Sequence, residues 1–232
     1  MSDLDFSRQS DLYPSDVMSN LSVCVIGCGG IGSNVVNLLA RIGIRKFTLY
    51  DNDVVESPNV PPTWFRLKDV GLSKVEALKL QLLENFGITT VSARDMFYNV
   101  QGGTFDVVIC CTDNIVSRVR AFDDNRLHWK LWIDARMGGD QCSVYCITRP
   151  GPQEAEEKYE KTLQRPDTDL PCGMKSTAAL TTGIIPGFIG TCLYRYYGLG
   201  QQPPYEMFFK MGDLWMTIDS QSNAITQTTE VE

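Results

Sequence analysis

Along most of the chain, segments with the apolar pattern of a strand alternate with segments that have the apolar spacing of a helix. Short apolar, β-branched runs bounded by glycine or polar residues predict strands, and apolar residues three and four positions apart predict helices between them. This alternation predicts an α/β fold with a Rossmann-like parallel sheet flanked by helices. The predicted strands cover 21–26, a run that ends at Asp51, 88–93, 105–111, 131–135 and 141–148, and the predicted helices cover 30–41, 73–87 and 115–127.

The pattern changes after residue 148. Residues 149–175 are polar and interrupted by proline, which predicts a long crossover loop. Residues 178–197 are apolar but contain Pro186, which favours a buried, kinked helix over a membrane span. The runs 207–211 and 214–218 predict a hairpin, and therefore an antiparallel C-terminal extension of the sheet.

A glycine-rich segment separates the first predicted strand from the first predicted helix. Gly27, Gly29 and Gly32 fit the pattern G-x-G-x-x-G, in the strand–turn–helix context that dinucleotide-binding loops require. Glycines allow the tight turn and let N–H groups at Gly29 and Gly30 approach a phosphate. Asp51 lies about 20 residues further on, where an acidic residue usually binds ribose hydroxyls. These residues predict a nucleotide site; the alternative is a turn that only lets helix and strand pack closely.

These elements divide the chain into five parts. They are an N-terminal arm (1–20), a nucleotide-binding Rossmann-like domain (21–148), the crossover loop (149–175), a C-terminal helix and hairpin of the same domain (176–218) and a polar tail (219–232).

Composition narrows the possible partners and chemistry. A net charge of −7 argues against nucleic acid or an anionic membrane as the main partner, because both require a basic surface. The one histidine, His128, argues against a histidine-based triad or a multi-histidine metal site. Eight cysteines without an apolar leader predict a reducing, cytoplasmic environment. Cys142 and Cys146 would supply only half of a zinc site.

Several segments, in this order, resemble the ThiF/MoeB/HesA superfamily, the prokaryotic relatives of ubiquitin-activating enzymes. The resemblance extends from about residue 6 to about residue 199. Its carriers are Phe6-Ser7-Arg8-Gln9, the glycine loop, Asp51-Asn52-Asp53-Val54-Val55-Glu56 with Asn59, the segment 69–76 (Asp-Val-Gly-Leu-Ser-Lys-Val-Glu), Cys111-Thr112-Asp113-Asn114, the segment 134–139 (Asp-Ala-Arg-Met-Gly-Gly) and Pro171-Cys172.

The resemblance implies ATP-dependent adenylation of a C-terminal carboxylate. The substrate would be a ubiquitin-like or sulfur-carrier protein, or a peptide. The reaction needs positive charge and oriented donors around a polyanion, and it needs no histidine base. Lys74 would neutralise phosphate charge, and Asp113 would bind Mg²⁺ between the phosphates. Asp53 and Asn59 complete the expected nucleotide site, and Arg8 would enter the site of a partner subunit in a homodimer.

Each of these residues also has an ordinary structural interpretation. Asp113 follows a strand and precedes a helix, where a carboxylate often serves only as the N-cap. Lys74 belongs to a Ser-x-x-Glu capping box at the start of its helix and would by default be a solvated surface charge. Arg8 alone would be a surface arginine.

Cys172 is a candidate nucleophile. It follows Pro171 and precedes a predicted helix with Lys175 close by, which favours the thiolate. In members of the superfamily that transfer their product to sulfur, a cysteine in this region attacks the acyl-adenylate. The alternative is a structural cysteine.

One departure from the superfamily concerns phosphate binding. The usual Arg-Gln pair after the matched Asn59 is replaced by Pro62 and Thr63, and Arg66 could substitute for the lost cation. The departure keeps open a second hypothesis, a catalytically weak nucleotide-binding scaffold. A third hypothesis, an NAD(P)-linked dehydrogenase, depends on the glycine loop alone.

Overall fold

One mixed sheet of eight strands organises the molecule, in the order β3-β2-β1-β4-β5-β6-β7-β8. The computed structural model describes residues 4–98, 104–125, 129–164 and 179–220. The strands are β1 (Ser22–Ile26), β2 (Lys46–Asp51), β3 (Val91–Asp95), β4 (Phe105–Cys110), β5 (Trp129–Gly138), β6 (Gln141–Thr148), β7 (Pro204–Lys210) and β8 (Trp215–Ser220). The helices are α1 (Ser15–Met18), α2 (Gly30–Arg41), α3 (Lys74–Phe86), α4 (Ile115–Asn125), α5 (Gln153–Leu163) and α6 (Ala179–Leu193).

The sheet has a parallel half and an antiparallel half. Strands β3, β2, β1, β4 and β5 pair in parallel, with Val23 opposite Phe47 on one side and Val107 on the other. From β5 onward each pair is antiparallel. This arrangement confirms the predicted α/β class and the antiparallel C-terminal extension. The strand order reverses direction between β1 and β4, which is where ligands bind in open parallel sheets.

Side chains of each central strand alternate between two hydrophobic layers. Val23 and Val25 of β1 face α2, α3 and α6, whereas Cys24 and Ile26 face α4 and α5. Both layers are fully buried, as expected for parallel strands covered on both faces. The carboxyl ends of the parallel strands therefore lie at one edge of a sheet that is covered on both faces.

Helix α6 is largely apolar and contains Pro186, and the predicted burial holds on one side of the helix. Ile185 and Ile189 are buried against the sheet, whereas Gly183 and Gly187 lie on the exposed side. Within the described ranges, no helix is both long and apolar enough to cross a bilayer.

The structure corrects the predicted crossover loop. Helix α5 occupies its first part, after Pro152 at the N-cap position. Ala155 and Tyr159 lie four positions apart and are buried, so they anchor an otherwise polar helix to the sheet. Residues 165–178, which include Cys172, lie outside the described residues.

Several predicted boundaries also move. Strand β3 begins at Val91, later than predicted, and β5 extends from Trp129 to Gly138. Strand β8 includes Asp219 and Ser220, so the first two residues of the predicted tail belong to the sheet. Pairing with a neighbouring strand determines these ends, and that pairing is not visible in the periodicity of a single segment.

Candidate functional site

A cleft of about 320 Å³ opens at the carboxyl ends of the parallel strands, where the strand order reverses. Loops after β1, β2, β3 and β4 line it, together with the first turn of α3. The structure brings most of the predicted site residues together here. Those that line the cleft are Gly27, Gly29, Gly30, Asp51, Asp53, Asn59, Lys74 and Asp113.

The glycines of the β1–α2 turn have different roles. Gly27 has a positive φ of 86°, and a Cβ there would lie 2.9 Å from the Cys111 carbonyl. Gly29 faces open space, with no atom within 4 Å of where a Cβ would be. It stands at the start of α2, where the first N–H groups have no acceptor within the helix. The turn thus presents open backbone to an anion.

Gly32 was predicted to bind the cofactor, but the structure gives it a packing role. It does not line the cleft, and a Cβ at this position would lie 1.9 Å from the carbonyl oxygen of Gly27. Only glycine lets α2 approach the end of β1 this closely.

A lysine and two aspartates form a charged cluster on the β2 side of the cleft. The Nζ of Lys74 lies 2.8 Å from Oδ2 of Asp53 and 3.9 Å from Oδ1 of Asp51. Asp51 also accepts hydrogen bonds from the backbone N–H of Cys28 (2.6 Å) and of Asp53 (2.9 Å). Asp51 therefore connects the glycine turn to the loop after β2.

The backbone positions Lys74 without the predicted capping box. Ser73 is at the N-cap, but its buried hydroxyl has no hydrogen-bond partner among the described residues. Ser73 pairs instead through its backbone with Val54, and the N–H of Lys74 donates to the carbonyl of Asp53 (3.0 Å). The loop after β2 thus replaces the side-chain cap, so the capping box is a wrong prediction.

The electrostatics of this cluster keep Lys74 charged. Burial alone would lower the pKa of Lys74, but the hydrogen bond that Lys74 donates to Asp53 and the charge of Asp51 outweigh burial and raise it. Burial raises the pKa of Asp51, while Lys74 and the two backbone donors oppose that rise. Lys74 is therefore a cation paired with Asp53, and a phosphate in the cleft could compete with Asp53 for it.

Asp113 lies on the β4 side of the cleft. Its neighbour Asn114, not Asp113, caps α4, because Oδ1 of Asn114 accepts the N–H of Ser117 (2.8 Å). The N-cap interpretation of Asp113 is therefore wrong. Asp113 is exposed and accepts a hydrogen bond from the Asn114 amide (3.1 Å). Asn59 lies in the loop after β2. Its side-chain oxygen Oδ1 accepts a hydrogen bond from the backbone N–H of Glu56 (3.0 Å), which orders that loop.

Two predicted cations lie outside the cleft. The guanidinium of Arg66 pairs with Asp69 (3.1 Å) and Glu84 (2.7 Å), so the structure does not support its substitution for the lost phosphate-binding arginine. Arg8 is exposed on a short 3-10 turn. That turn is fixed to its own chain, since Phe6 packs against Arg45 (5.0 Å). Cys172 lies outside the described residues.

One wall of the cleft consists of residues that the sequence motifs do not predict. Met96, Phe97 and Tyr98 follow β3 and line the cleft, with Tyr98 in edge contact with Tyr50 (4.9 Å between centroids). Phe97 is 68% exposed. Arg120 of α4 also lines the cleft. Because the carboxyl ends of all parallel strands meet at one edge, the segment after β3 could have been predicted from the fold.

Comparison with protein families decides the family of this fold. A model described as the ThiF family matches residues 8–225. The chain belongs to the ThiF family. Curated relatives agree: the chain is similar to ubiquitin-like modifier-activating enzyme 5 of Caenorhabditis elegans, with 37% identity over 222 residues (84% of this chain, 52% of the relative). The same enzyme of Aedes aegypti is 36% identical over 205 residues (75% of this chain, 50% of the relative). The chain spans about half the length of these relatives.

Solved structures share the fold of this ThiF-family chain. Escherichia coli MccB with ATP superimposes with a TM-score of 0.70 at 20% identity, covering 93% of this chain and 68% of MccB. PaaA superimposes with a TM-score of 0.71 at 17% identity, covering 95% and 75%. At these identities the likeness establishes the fold.

Proposed function

We propose that this ThiF-family chain is an ATP-dependent adenylyltransferase that activates a C-terminal carboxylate. The observation that carries the proposal is the order of groups around the cleft. The glycine turn follows β1, Lys74 pairs with the end of β2, and Asp113 follows β4. Because β1 lies between β2 and β4, a triphosphate on the turn would have a cation on one side and a carboxylate on the other.

The polar groups and the apolar wall of the cleft suit ATP. Open backbone at Gly29 suits phosphate oxygens, and Lys74 adds positive charge. The Asp51 carboxylate accepts two backbone N–H groups and keeps further lone pairs for ribose hydroxyls. The apolar wall of Met96, Phe97 and Tyr98 suits a base.

The donor set also fits Mg²⁺ carried by the nucleotide. The described residues contain no group of three or more potential metal ligands, so they offer no complete protein cage. Mg²⁺ is usually bound by one or two carboxylates together with substrate phosphates, and Asp113 is the exposed carboxylate available on the β4 side. When bound, Mg²⁺ would neutralise charge on the phosphates.

The proposed reaction is a displacement at phosphorus. An oxygen of the substrate carboxylate attacks the α-phosphorus, the bond to the bridging oxygen breaks, and diphosphate leaves with that electron pair. No proton is transferred, which agrees with a chain that contains one histidine. Lys74 would leave Asp53 for the phosphates, and the N–H groups of the turn would hold them in place. Family membership favours this chemistry over hydride transfer.

The partners follow from the relatives. The curated relatives are named as activating enzymes of ubiquitin-like modifiers, and MccB structures contain the peptide MccA. We propose a ubiquitin-like protein, a sulfur carrier or a peptide as the carboxylate donor. Seven cysteines in the described part of the chain are thiols, which supports a reducing, cytoplasmic location.

A homodimer is part of the proposal. Helix α6 contains no charged residue and is largely apolar, yet Gly183, Gly187 and Thr191 lie exposed at intervals of four residues. A helix of this composition is usually buried on all sides, which supports a second copy on this face. Arg8, exposed on an arm fixed to its own chain, would then be available to the partner's cleft.

Thioester formation at Cys172 stays a prediction. The thiolate would attack the acyl carbon of the adenylate and AMP would leave. Substitution of Cys172→Ala should leave ATP–pyrophosphate exchange intact and abolish a reductant-sensitive adduct with the carboxylate donor. An adduct that persists in this variant would exclude Cys172 as the nucleophile.

A nucleotide-binding scaffold is the second candidate, and one observation favours it. Pro62 and Thr63 carry no charge, and the Pro62 carbonyl is occupied by Asn34 (2.9 Å) and Thr182 (2.9 Å). Among the described residues that line the cleft, the basic side chains are Lys74 and Arg120. A site with fewer cations would bind ATP yet stabilise the transition state poorly.

ATP–pyrophosphate exchange distinguishes the candidates. It would be measured with a panel of ubiquitin-like proteins and peptides that have free carboxyl ends. We expect exchange in the wild type, its loss in Lys74→Ala and Asp113→Ala, and its retention in Lys79→Ala. Lys79 is a matched control, since it lies on the same helix and pairs with Glu76 (3.4 Å) outside the cleft. ATP binding without exchange for any donor would favour the scaffold.

A further inference from the structure

A buried ionic cluster lies between the sheet and helices α4 and α5, outside the cleft. Its centre is Asp134 of β5, which is 0% exposed. One carboxylate oxygen of Asp134 accepts from Arg118 of α4, and the other accepts from Arg136 Nε (2.8 Å) and the Tyr159 hydroxyl (2.9 Å). Arg118 and Arg136 are each 1% exposed. We call these four residues the Asp134 cluster.

One end of the Asp134 cluster reaches the cleft. The guanidinium of Arg118 donates to the carbonyl of Thr112 and to the carbonyl of Ala135 (3.3 Å). Thr112 lines the cleft and directly precedes Asp113. A planar guanidinium that holds a carboxylate and a carbonyl at once fixes the loop between them, because its donors have one geometry.

The other end of the cluster holds helix α5. Tyr159 belongs to α5, and Nη2 of Arg136 donates to the hydroxyl of Thr162 on the same helix (2.9 Å). Arg136 also stacks on the ring of Tyr145 from β6 (4.5 Å). Helix α5 begins the segment that leads from the sheet toward residue 165. The cluster thus connects this segment to the Thr112–Asp113 loop through one carboxylate.

Stability alone is a weak explanation for the cluster. Two buried arginines donate to the same carboxylate, and Nη1 of Arg136 has no partner among the described residues. Burying charges costs more than apolar side chains of similar volume would, and such clusters serve better to specify geometry. The geometry specified here is the position of a loop that lines the cleft.

We propose that Arg118, Asp134 and Tyr159 are positioning residues that hold the Thr112–Asp113 loop in register with α5. The position of α5 then sets the affinity of the cleft for Mg–ATP. This inference deepens the proposed function and rests on it for the identity of the ligand.

Tyr159→Phe tests the inference, with Tyr205→Phe as the matched control. Both rings contact Tyr145, at 6.0 and 5.9 Å between centroids. The Tyr159 hydroxyl donates to Asp134, whereas the buried Tyr205 hydroxyl has no partner among the described residues. Each variant removes one oxygen and keeps the ring, so both should fold.

The first measurement is calorimetric binding of Mg–ATP, which needs no turnover. Loss of a group that orients a metal ligand typically weakens metal affinity 10- to 100-fold. We therefore expect Tyr159→Phe to bind Mg–ATP about 10-fold more weakly than the wild type. Tyr205→Phe should bind Mg–ATP with wild-type affinity. The Mg²⁺ concentration for half-maximal binding should rise in parallel. Equal affinity in wild type and Tyr159→Phe would overturn the inference, and so would equal weakening in both variants.

The second measurement is amide hydrogen exchange of residues 112–114 in the free protein. We expect faster exchange in Tyr159→Phe and wild-type exchange in Tyr205→Phe. Unchanged exchange in Tyr159→Phe would contradict the coupling whatever ligand the cleft binds. If the wild type binds Mg–ATP but catalyses no ATP–pyrophosphate exchange with any carboxylate donor, the proposed adenylation fails while the positioning role stands.

Discussion

Two cation–carboxylate clusters lie near the same edge of the sheet and differ in almost every property. In the cleft, one lysine serves two aspartates, and Asp53 is 62% exposed. In the Asp134 cluster, two arginines serve one aspartate, and every charged member is at most 1% exposed. The first cluster lies beside the open space of the cleft, whereas the second is closed off from solvent.

The difference indicates which cluster can change partners. An exposed carboxylate such as Asp53 is resolvated easily when Lys74 leaves it, so a phosphate can compete for the lysine. Asp134 has no solvent to replace either arginine, so any change leaves a buried charge unpaired. The cleft cluster is therefore suited to ligand exchange and the Asp134 cluster to holding geometry. Six substitutions test this distinction.

The largest expected effect belongs to Asp134→Asn. Removing one partner of a buried ion pair typically costs about 3–5 kcal/mol, and here two buried arginines lose the carboxylate that they share. Guanidinium denaturation would measure the loss in the free energy of unfolding. Asp53→Asn should change that free energy little, and similar losses in the two variants would contradict the distinction.

Lys74→Ala should show the opposite profile. Exchange activity should fall about 10²–10³-fold, as when one preorganised electrostatic group is removed. The free energy of unfolding should fall less than in Asp134→Asn, because Asp53 can turn to water and Asp51 keeps its two backbone donors. Activity and denaturation measured on one preparation check both halves. A loss of stability as large as that of Asp134→Asn would assign Lys74 a structural role.

The glycine turn offers the same comparison within one loop. Gly32→Ala places a methyl group 1.9 Å from the Gly27 carbonyl oxygen and should destabilise the fold by about 1–3 kcal/mol. Gly29→Ala meets no atom within 4 Å, so it should fold normally and weaken ATP binding. Thermal unfolding and calorimetry would measure the two effects. Normal ATP affinity in Gly29→Ala would place the phosphates elsewhere.

The smallest effect concerns Asp106, at the amino end of the sheet, whose exposure lies between that of Asp134 and that of Asp53. Burial would raise its pKa, but Lys130 (2.8 Å) and the Ser22 donors outweigh burial and lower it. A lowered carboxyl pKa stabilises the fold above its unfolded value of 3.8, and this contribution is lost as pH falls through the folded pKa. Asp106→Asn should therefore cost about 1 kcal/mol at pH 7 and nothing at low pH. A pH-independent difference in unfolding free energy would contradict this assignment.

The parts of the fold and of the site that depend on residues close together in the sequence were predictable. The apolar runs of β1 and β4, the glycine turn and the acid at the end of β2 are local features. The α/β order then requires these carboxyl ends to meet at one edge. Position on a strand end was enough to place Asp51 and Asp113 in the cleft.

Parts that depend on pairing across the chain were not predictable. The cap of α4 falls on Asn114 and not on Asp113, and Ser73 uses its backbone where its sequence context indicates a side-chain cap. Arg66 has the charge for a phosphate site but finds Asp69 and Glu84 first. In each case several nearby groups could make the same contact, and the distances in the folded chain determine which contact forms.

The amino-acid sequence by itself therefore determined the alternation of strands and helices, the backbone turn at the glycines and the family. Burial of apolar stripes and the conformational freedom of glycine are properties of short segments. Only the tertiary structure decided that α5 replaces part of a loop, and that Arg118 joins Asp134 to the Thr112 carbonyl. A buried charge is stable only beside its counter-charge, and those partners come from separate elements whose packing brings them together.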